Sequence, residues 1–325
     1  MLRSIRRHPW RGLGLVLVLL PLLYLAGAGY FLSRFAAGLL TVGPLVERLA
    51  AEPRPEDPLA LGYRGDPGAA FGARFETVAV ETELGPVEAW YVPAEGARDA
   101  AGGFAAIYVH GIAGAREDGY RHLSMLRAAG VPVLLIGYRN DPGGPADPSG
   151  LYGFGLTEWR DLEAAIGAML ARGHDRLLIV AESMGGAILG QFLSRSDRAG
   201  SVAAVALDSP AVDITQVLRS FAMAARLPAP GAVARVGLVM LDWRKPIDYR
   251  DARVSAIYAS FSGPLFVAHG TGDGIVPAAG TDAMLAARRG TSVVVRTEAG
   301  HLLSFAADPE GYRAAFAAFL ELIAR

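Results

Sequence analysis

RLLIVAESMGGAILGQFLS, residues 176–194, is the stretch whose reading decides the fold. Its first half is a short apolar run of the sort buried on both faces of a parallel sheet, and its second half, from Met184 to Ser194, reads as a helix. Between them VAESMGG, residues 180–186, approximates the pattern G-x-S-x-G with Ala181 in the first position. A serine hydroxyl is a weak nucleophile. A sharp strand-to-helix turn holds such a hydroxyl out where a base and a carbonyl group can reach it, and the small residues Ala181 and Gly185 let that turn close. The dipole of the helix starting at Met184 points its positive end at the same spot. Taken alone, Ser183 reads equally well as an ordinary helix N-cap.

Working outward, the same alternation repeats. FETVAV (75–80) and VEAWYV (87–92), joined by a Gly85-Pro86 turn, read as an antiparallel pair. FAAIYVH (104–110), VPVLLIGY (131–138), RLLIVAE (176–182), SVAAVAL (201–207), PLFVAHG (264–270) and TSVVVRT (291–297) read as buried strands, with helices expected over 117–129, 157–171, 184–194, 281–288 and 309–324. The expectation is an α/β fold with a mostly parallel eight-stranded sheet and helices on both faces. Residues 209–262 break the alternation without a clear strand and read as an apolar helical cap. Its side chains serve either to pack the cap on the sheet or to line an acyl pocket and touch lipid. Asp273, in HGTGDGIVP, and His301, in EAGHLLSF, each follow a predicted strand at the edge where Ser183 sits. In parallel sheets that carboxyl edge is where ligand chemistry collects.

In these motifs the chain resembles the α/β-hydrolase family, and within it a membrane-anchored serine-hydrolase branch. The resemblance covers roughly residues 74–325. HGIAG (110–114) resembles the oxyanion loop, IGYRNDPG (136–143) the Gly-Tyr-Arg segment, AESMGG the nucleophile turn, and HGTGDGIVP and AGH the acid and histidine loops. The resemblance implies Ser183 as nucleophile, His301 as base, Asp273 as the acid that orients the imidazole, and the backbone N–H groups of Ile112 and Met184 as the oxyanion hole. The departure is Ala181 where the pattern has Gly. Asp208, after the strand ending at Leu207, is a rival acid, and the Asp273-Gly274 pair also reads as a plain turn. His110 and His269 read as loop-geometry residues, His122 and His174 as helix residues, and Glu182 as a local cap or ion-pair partner. Tyr138, Arg139 and Asp141 read either as support for the site or as scaffold.

Composition sets the outer limits. Hydrophobic residues make up 52% and charged residues 19% of 325 residues, which excludes a disordered chain. Lys plus Arg number 31 against 32 Asp plus Glu, so no basic excess points to nucleic acid. Cysteine is absent, which removes a Cys nucleophile, thiolate metal sites and disulfides. No spacing of His and carboxylates suggests a metal, and no Gly-rich loop suggests a phosphate cofactor.

At the amino terminus, GLGLVLVLLPLLYLAGAGYFL (12–32) has no charge and is long enough to span a bilayer as a helix. Arg3, Arg6, Arg7 and Arg11 precede it, which places residues 1–11 in the cytoplasm and the main domain outside. Ala26-Gly27-Ala28 offers a signal-peptidase site as the competing reading. The expected organisation is a transmembrane helix 12–32, a linker 33–73 that includes a short interfacial helix, and a hydrolase domain 74–325. The expected reaction is cleavage of a carboxylic ester through an acyl-enzyme. The anchor and the apolar cap suggest lipid or other acylated substrates. Peptidase or acyltransferase chemistry with the same triad, or a noncatalytic binding module, are the alternatives.

Overall fold

Short apolar strands need cover on both faces, and a chain supplies it by returning each strand through a helix. The computed structural model describes residues 9–94 and 103–324. Strands β1 (Glu76–Thr82), β2 (Gly85–Val92), β3 (Ala105–Val109), β4 (Val133–Ile136), β5 (Leu177–Glu182), β6 (Val202–Asp208), β7 (Leu265–Gly270) and β8 (Ser292–Thr297) form one eight-stranded sheet in the order β1-β2-β4-β3-β5-β6-β7-β8. β2 runs antiparallel to both β1 and β4, and every other pairing is parallel. The hairpin turn falls on Glu83 and Leu84, before the expected Gly85-Pro86, because Gly85 and Pro86 already pair with Thr82 and Glu81.

Alternation along each strand splits the core in two. Ile107, Val109, Ile179, Ala181, Val205 and Leu207 face one hydrophobic cluster, while Ala106, Tyr108, Leu178, Val180, Ala204 and Ala206 face the other. The helices that cover these faces are α1 (Pro9–Leu40), α2 (Pro44–Ala50), α3 (Pro67–Phe71), α4 (Tyr120–Ala128), α5 (Trp159–Ala171), α6 (Met184–Arg195), α7 (Ile214–Ala224), α8 (Pro230–Asp242), α9 (Ser255–Ser260), α10 (Ala278–Ala287), α11 (Ser304–Ala307) and α12 (Pro309–Ile323). The insertion between β6 and β7 contributes no strand to the sheet and is built mainly from α7, α8 and α9, with a single antiparallel bridge between Asp213 and Arg253. Asp213 starts α7 by accepting the Thr215 N–H at 2.7 Å, which satisfies one of the donors that a helix start leaves unpaired.

Two features of the amino-terminal region depart from the expectation. The apolar helix continues to Leu40 instead of ending near residue 32, because its later turns have a partner: Leu32, Ala36 and Leu40 are buried in the same core cluster as α7 and α8. Residues 51–70, linker-like in composition, are pinned to the domain. Arg64 pairs with Asp118 at 3.1 Å, and Tyr120 donates its hydroxyl hydrogen to the Gly65 carbonyl. Of the segment expected in the cytoplasm, residues 1–8 lie outside the described residues.

Candidate active site

β5 delivers the chain to the carboxyl edge of the sheet, and the turn into α6 falls on Ser183, whose φ of 49° and ψ of −118° lie in a region that costs a non-glycine residue about 1–3 kcal/mol. The surroundings hold it there from both sides. The Ser183 N–H donates to the Asp208 carbonyl at 3.0 Å, and the Ser183 carbonyl accepts from Gly186 and Ala211. A Cβ on Gly185 would lie 2.4 Å from the Val109 oxygen, so only glycine lets α6 approach the end of β3 this closely. Ala181, by contrast, stands in the ladder opposite Val109 and Leu207 with its methyl in the core. The departure from the sequence pattern therefore adds burial and strains nothing.

His301 arrives from the loop after β8 and places Nε2 3.0 Å from Ser183 Oγ, while its Nδ1 lies 2.7 Å from Asp273 Oδ2. With the proton on Nδ1, one tautomer satisfies both contacts: Nδ1–H donates to the carboxylate, and Nε2 accepts from the serine hydroxyl. Asp273, from the loop after β7, has a fully buried side chain. Its Oδ1 accepts the N–H groups of Ile275 and Val276 at 2.9 and 2.8 Å. Burial alone would raise this carboxyl, but the hydrogen bonds from His269 and His301 outweigh it and hold Asp273 well below the usual carboxylate range. The contribution of His269 was not legible in the sequence. Its Nε2–H is shared between the Val276 carbonyl at 2.9 Å and Asp273 Oδ2 at 3.2 Å, while Nδ1 accepts from the Thr281 hydroxyl at 2.8 Å.

The loop after β3 closes the other side. A Cβ on Gly111 would sit 2.9 Å from the Ser183 Cβ, so this loop touches the serine through a glycine. Ile112 follows it, and Met184 occupies the first turn of α6, where helix geometry leaves N–H groups without a carbonyl partner. The loop is held from behind by His110, whose Nδ1 faces the Gly111 carbonyl and whose Nε2 faces Asp141 Oδ2, both at 2.9 Å. Both partners are acceptors. Burial would lower this imidazole, yet the Asp141 carboxylate and the Gly111 carbonyl prevail and raise it. Tyr138 stacks on His110 with ring centres 4.2 Å apart and donates its hydroxyl hydrogen to the carbonyls of His110 and Gly111. Arg139 turns the other way, to Asp161, Asp147 and Glu83. Tyr138 and Asp141 therefore support the loop around Gly111, while Arg139 braces the scaffold.

Residues 106–315 match the sequence profile of the alpha/beta hydrolase family. The chain belongs to that family. Solved structures agree on the fold. An esterase of Pyrococcus furiosus superposes with a TM-score of 0.61 at 19% identity, covering 83% of this chain and 96% of the esterase. An esterase of Thermogutta terrifontis gives 0.54 at 17% identity, covering 78% of this chain and 100% of the other. An acylaminoacyl peptidase of Pyrococcus horikoshii gives 0.56 at 15% identity over 78% of this chain and 41% of the peptidase. A search of curated protein sequences returns no match.

Behind the turn at Ser183 lies a buried charge cluster that the sequence did not reveal. Arg121 Nη2 sits 2.6 Å from Glu182 Oε1 and 3.7 Å from Asp208 Oδ2. Tyr108 and Tyr312 donate to the same two carboxylates, and His122 lies 3.1 Å from Glu182. His122, Glu182 and Asp208 bring ligand-type atoms within 4.8 Å of one another, but the guanidinium already supplies the positive charge that a metal would bring. Asp208, the rival acid, is thereby placed: its carboxylate serves Tyr312 and Ser209, and His301 takes Asp273. Glu182, read as a local cap or ion-pair partner, is an ion-pair partner of residues some sixty or more positions earlier, Arg121 above all. His174 bonds the Tyr91 hydroxyl, far from the edge where Ser183 stands.

Proposed function

We propose that the chain is a serine hydrolase that cleaves carboxylic esters. The observation that carries this reading is the continuous relay from Ser183 Oγ through the His301 imidazole to Asp273. His301 Nε2 takes the hydroxyl proton as Ser183 Oγ attacks the acyl carbon. The imidazolium that forms is stabilised by Asp273, already ionised and held by two histidines and two backbone amides. The N–H groups of Ile112 and Met184 meet the negative charge developing on the carbonyl oxygen. His301 then gives its proton to the leaving alkoxide, and the alcohol departs. In the second half His301 deprotonates a water that attacks the acyl-enzyme, and the freed carboxylic acid leaves Ser183 restored. Ile275 and Leu303, 47% and 45% exposed, flank the acid and histidine loops and give the entrance an apolar rim suited to an acyl chain.

The reading extends to location. α1 is a membrane anchor, with residues 1–11 in the cytoplasm and the hydrolase domain, cap included, outside it. Gly14–Leu40 is long and apolar enough to cross a bilayer, and a signal sequence passes the same test. Retention is favoured by packing. Cleavage after Ala28 would sever Tyr24, Leu25 and Ala28, all packed on the core cluster, from the buried Leu32 and Ala36 of the same helix.

Hydrolysis of a panel of short esters, long acyl glycerols, lysophospholipids and peptides by the wild type and by Ser183→Ala tests the reading. Ester turnover in the wild type, falling on the order of 10³–10⁶-fold in the variant, is expected. Release of peptides but not of alcohols would establish the peptidase alternative. Transfer of the acyl group to an added alcohol in preference to water would establish the acyltransferase.

A further inference from the structure

The cap and the amino-terminal helix share an unusual contact. α8 crosses α1 so closely that a Cβ on Gly29 would lie 2.5 Å from a Val236 methyl, and one on Gly237 would lie 3.2 Å from the Gly29 carbonyl. Tyr24 donates its hydroxyl hydrogen to the Pro228 carbonyl in the turn between α7 and α8, Phe35 meets Phe221 of α7 edge-on at 5.0 Å, and the Arg244 guanidinium lies 5.1 Å from the centre of the Tyr30 ring. The cap therefore grips α1 from Tyr24 onward. Before Tyr24, the uncharged part of α1 comprises residues 12–23, about 18 Å of helix at 1.5 Å per residue. The hydrocarbon core of a bilayer is about 30 Å thick. The missing depth of about 12 Å is made up only by the part of α1 on which α8 is already packed.

The cap is built for that depth. Residues 214–241 carry Arg219, Arg226 and Arg235 and no acidic residue; the flanking Asp213 and Asp242 are taken up by the start of α7 and by Arg250, and Arg244 and Lys245 come after Trp243. Met223 is 55% and Trp243 78% exposed, and a shallow apolar groove is lined by Arg235, Val236, Val239, Met240 and Trp243. Long arginines above an apolar face, ending in a tryptophan, match the layer where acyl chains give way to anionic headgroups. We propose that the end of α7, the turn to α8 and the outer face of α8 are embedded in the outer leaflet of the bilayer that α1 crosses, with anionic phospholipid as the occupant of this surface. The proposal rests on the anchored reading above. It gives that reading a consequence: the entrance beside Ile275, tied to α7 by the hydrogen bond from Ser220 to the Ile275 carbonyl, lies next to the lipid, so an acylated molecule reaches Ser183 without crossing water.

The chain has no cysteine, so single cysteines report cleanly. Full-length Leu17→Cys, Met223→Cys, Trp243→Cys and Glu310→Cys, each carrying an environment-sensitive fluorophore, are reconstituted in vesicles of phosphatidylcholine with phosphatidylglycerol. Each is then quenched either by doxyl-labelled lipid or by aqueous iodide. All four positions are exposed, so the labels leave the core untouched. The proposal expects positions 17, 223 and 243 to lose most of their emission to the lipid quencher and little to iodide, with position 310 showing the reverse. Lipid quenching at 17 together with iodide quenching at 223 and 243 would overturn it while leaving the anchor intact. No lipid quenching at 17 would remove the anchored reading and the proposal together. Protection of 223 and 243 from both quenchers would mean a protein partner on this face and would overturn it as well.

Discussion

The backbone N–H of Leu302 donates to the Ser209 hydroxyl at 3.1 Å, so the residue after the imidazole hangs from the residue after β6. Ser209 in turn donates to Asp208, whose carboxylate faces Arg121 and Tyr312. Both ends are strained: Ser209 has φ 46° and Leu302 φ 59°. The histidine loop is thereby fastened to the buried cluster under the nucleophile turn. Ser209→Ala leaves the Leu302 amide without its partner, and a loss of about 1.4 kcal/mol in transition-state positioning corresponds to about a tenfold fall in kcat/KM. Steady-state hydrolysis of a soluble activated ester measures it, and an unchanged kcat/KM would show that the loop needs no such tether.

Arg121 carries a larger share of stability than of chemistry. It is the cation for Glu182 and Asp208, both with no side-chain exposure. Arg121→Met removes it without removing the charges, which costs about 3–5 kcal/mol. Urea unfolding of the full chain in detergent reads this as a lowered midpoint. A change under about 1 kcal/mol would mean that the carboxylates find other partners.

His110 makes stability pH-dependent in a direction fixed by its raised pKa. A group raised in the folded state contributes fully below its unfolded value, near 6.5, and the contribution is lost as pH rises through the folded value. Asp141→Asn keeps an acceptor oxygen for the Tyr138 N–H but removes the charge that holds the imidazolium. The stability gap between wild type and variant is expected to be widest near about pH 6, at about 1.5–3 kcal/mol, and to close at higher pH. A gap that widens with pH would contradict the assignment of both imidazole nitrogens as donors.

Ala181→Gly restores the expected pattern and is predicted to gain nothing. The position is ordinary strand, so glycine there costs about 0.5–1 kcal/mol through chain entropy, and turnover stays at the wild-type level. Thermal unfolding alongside ester kinetics checks both parts.

What the sequence disclosed and what it hid follow from the range of the interactions. The turn at Ser183, the strands and the cap without strands are local patterns, a period and a few neighbours deep, and the sheet formed as expected, except that β8, read as a buried strand, is the sheet edge and leaves Val294 44% exposed, because no ninth strand among the described residues covers it. Ser183, Asp273 and His301, which the structure brings within hydrogen-bond reach of one another, stood out as candidates because each follows a strand at one edge. The hold of His269 on Asp273 and the charge cluster of Arg121 depend on which side chains face each other across the sheet, which a single chain of letters does not record. α1 runs on to Leu40 because of α8, some two hundred positions later. Its own apolar pattern gave no sign of that partner, and the reading of residues 33–50 as a separate interfacial segment stopped the helix too early.

The central claim is that Ser183 Oγ is made nucleophilic by His301. Exposure of the full-length chain to a fluorophosphonate, followed by peptide mass mapping, tests it most directly. The account predicts a single covalent adduct on Ser183, absent in Ser183→Ala and slowed by orders of magnitude in His301→Ala. A folded wild-type chain that takes up no label, or takes it up on Ser183 at the same rate without the imidazole, would contradict it.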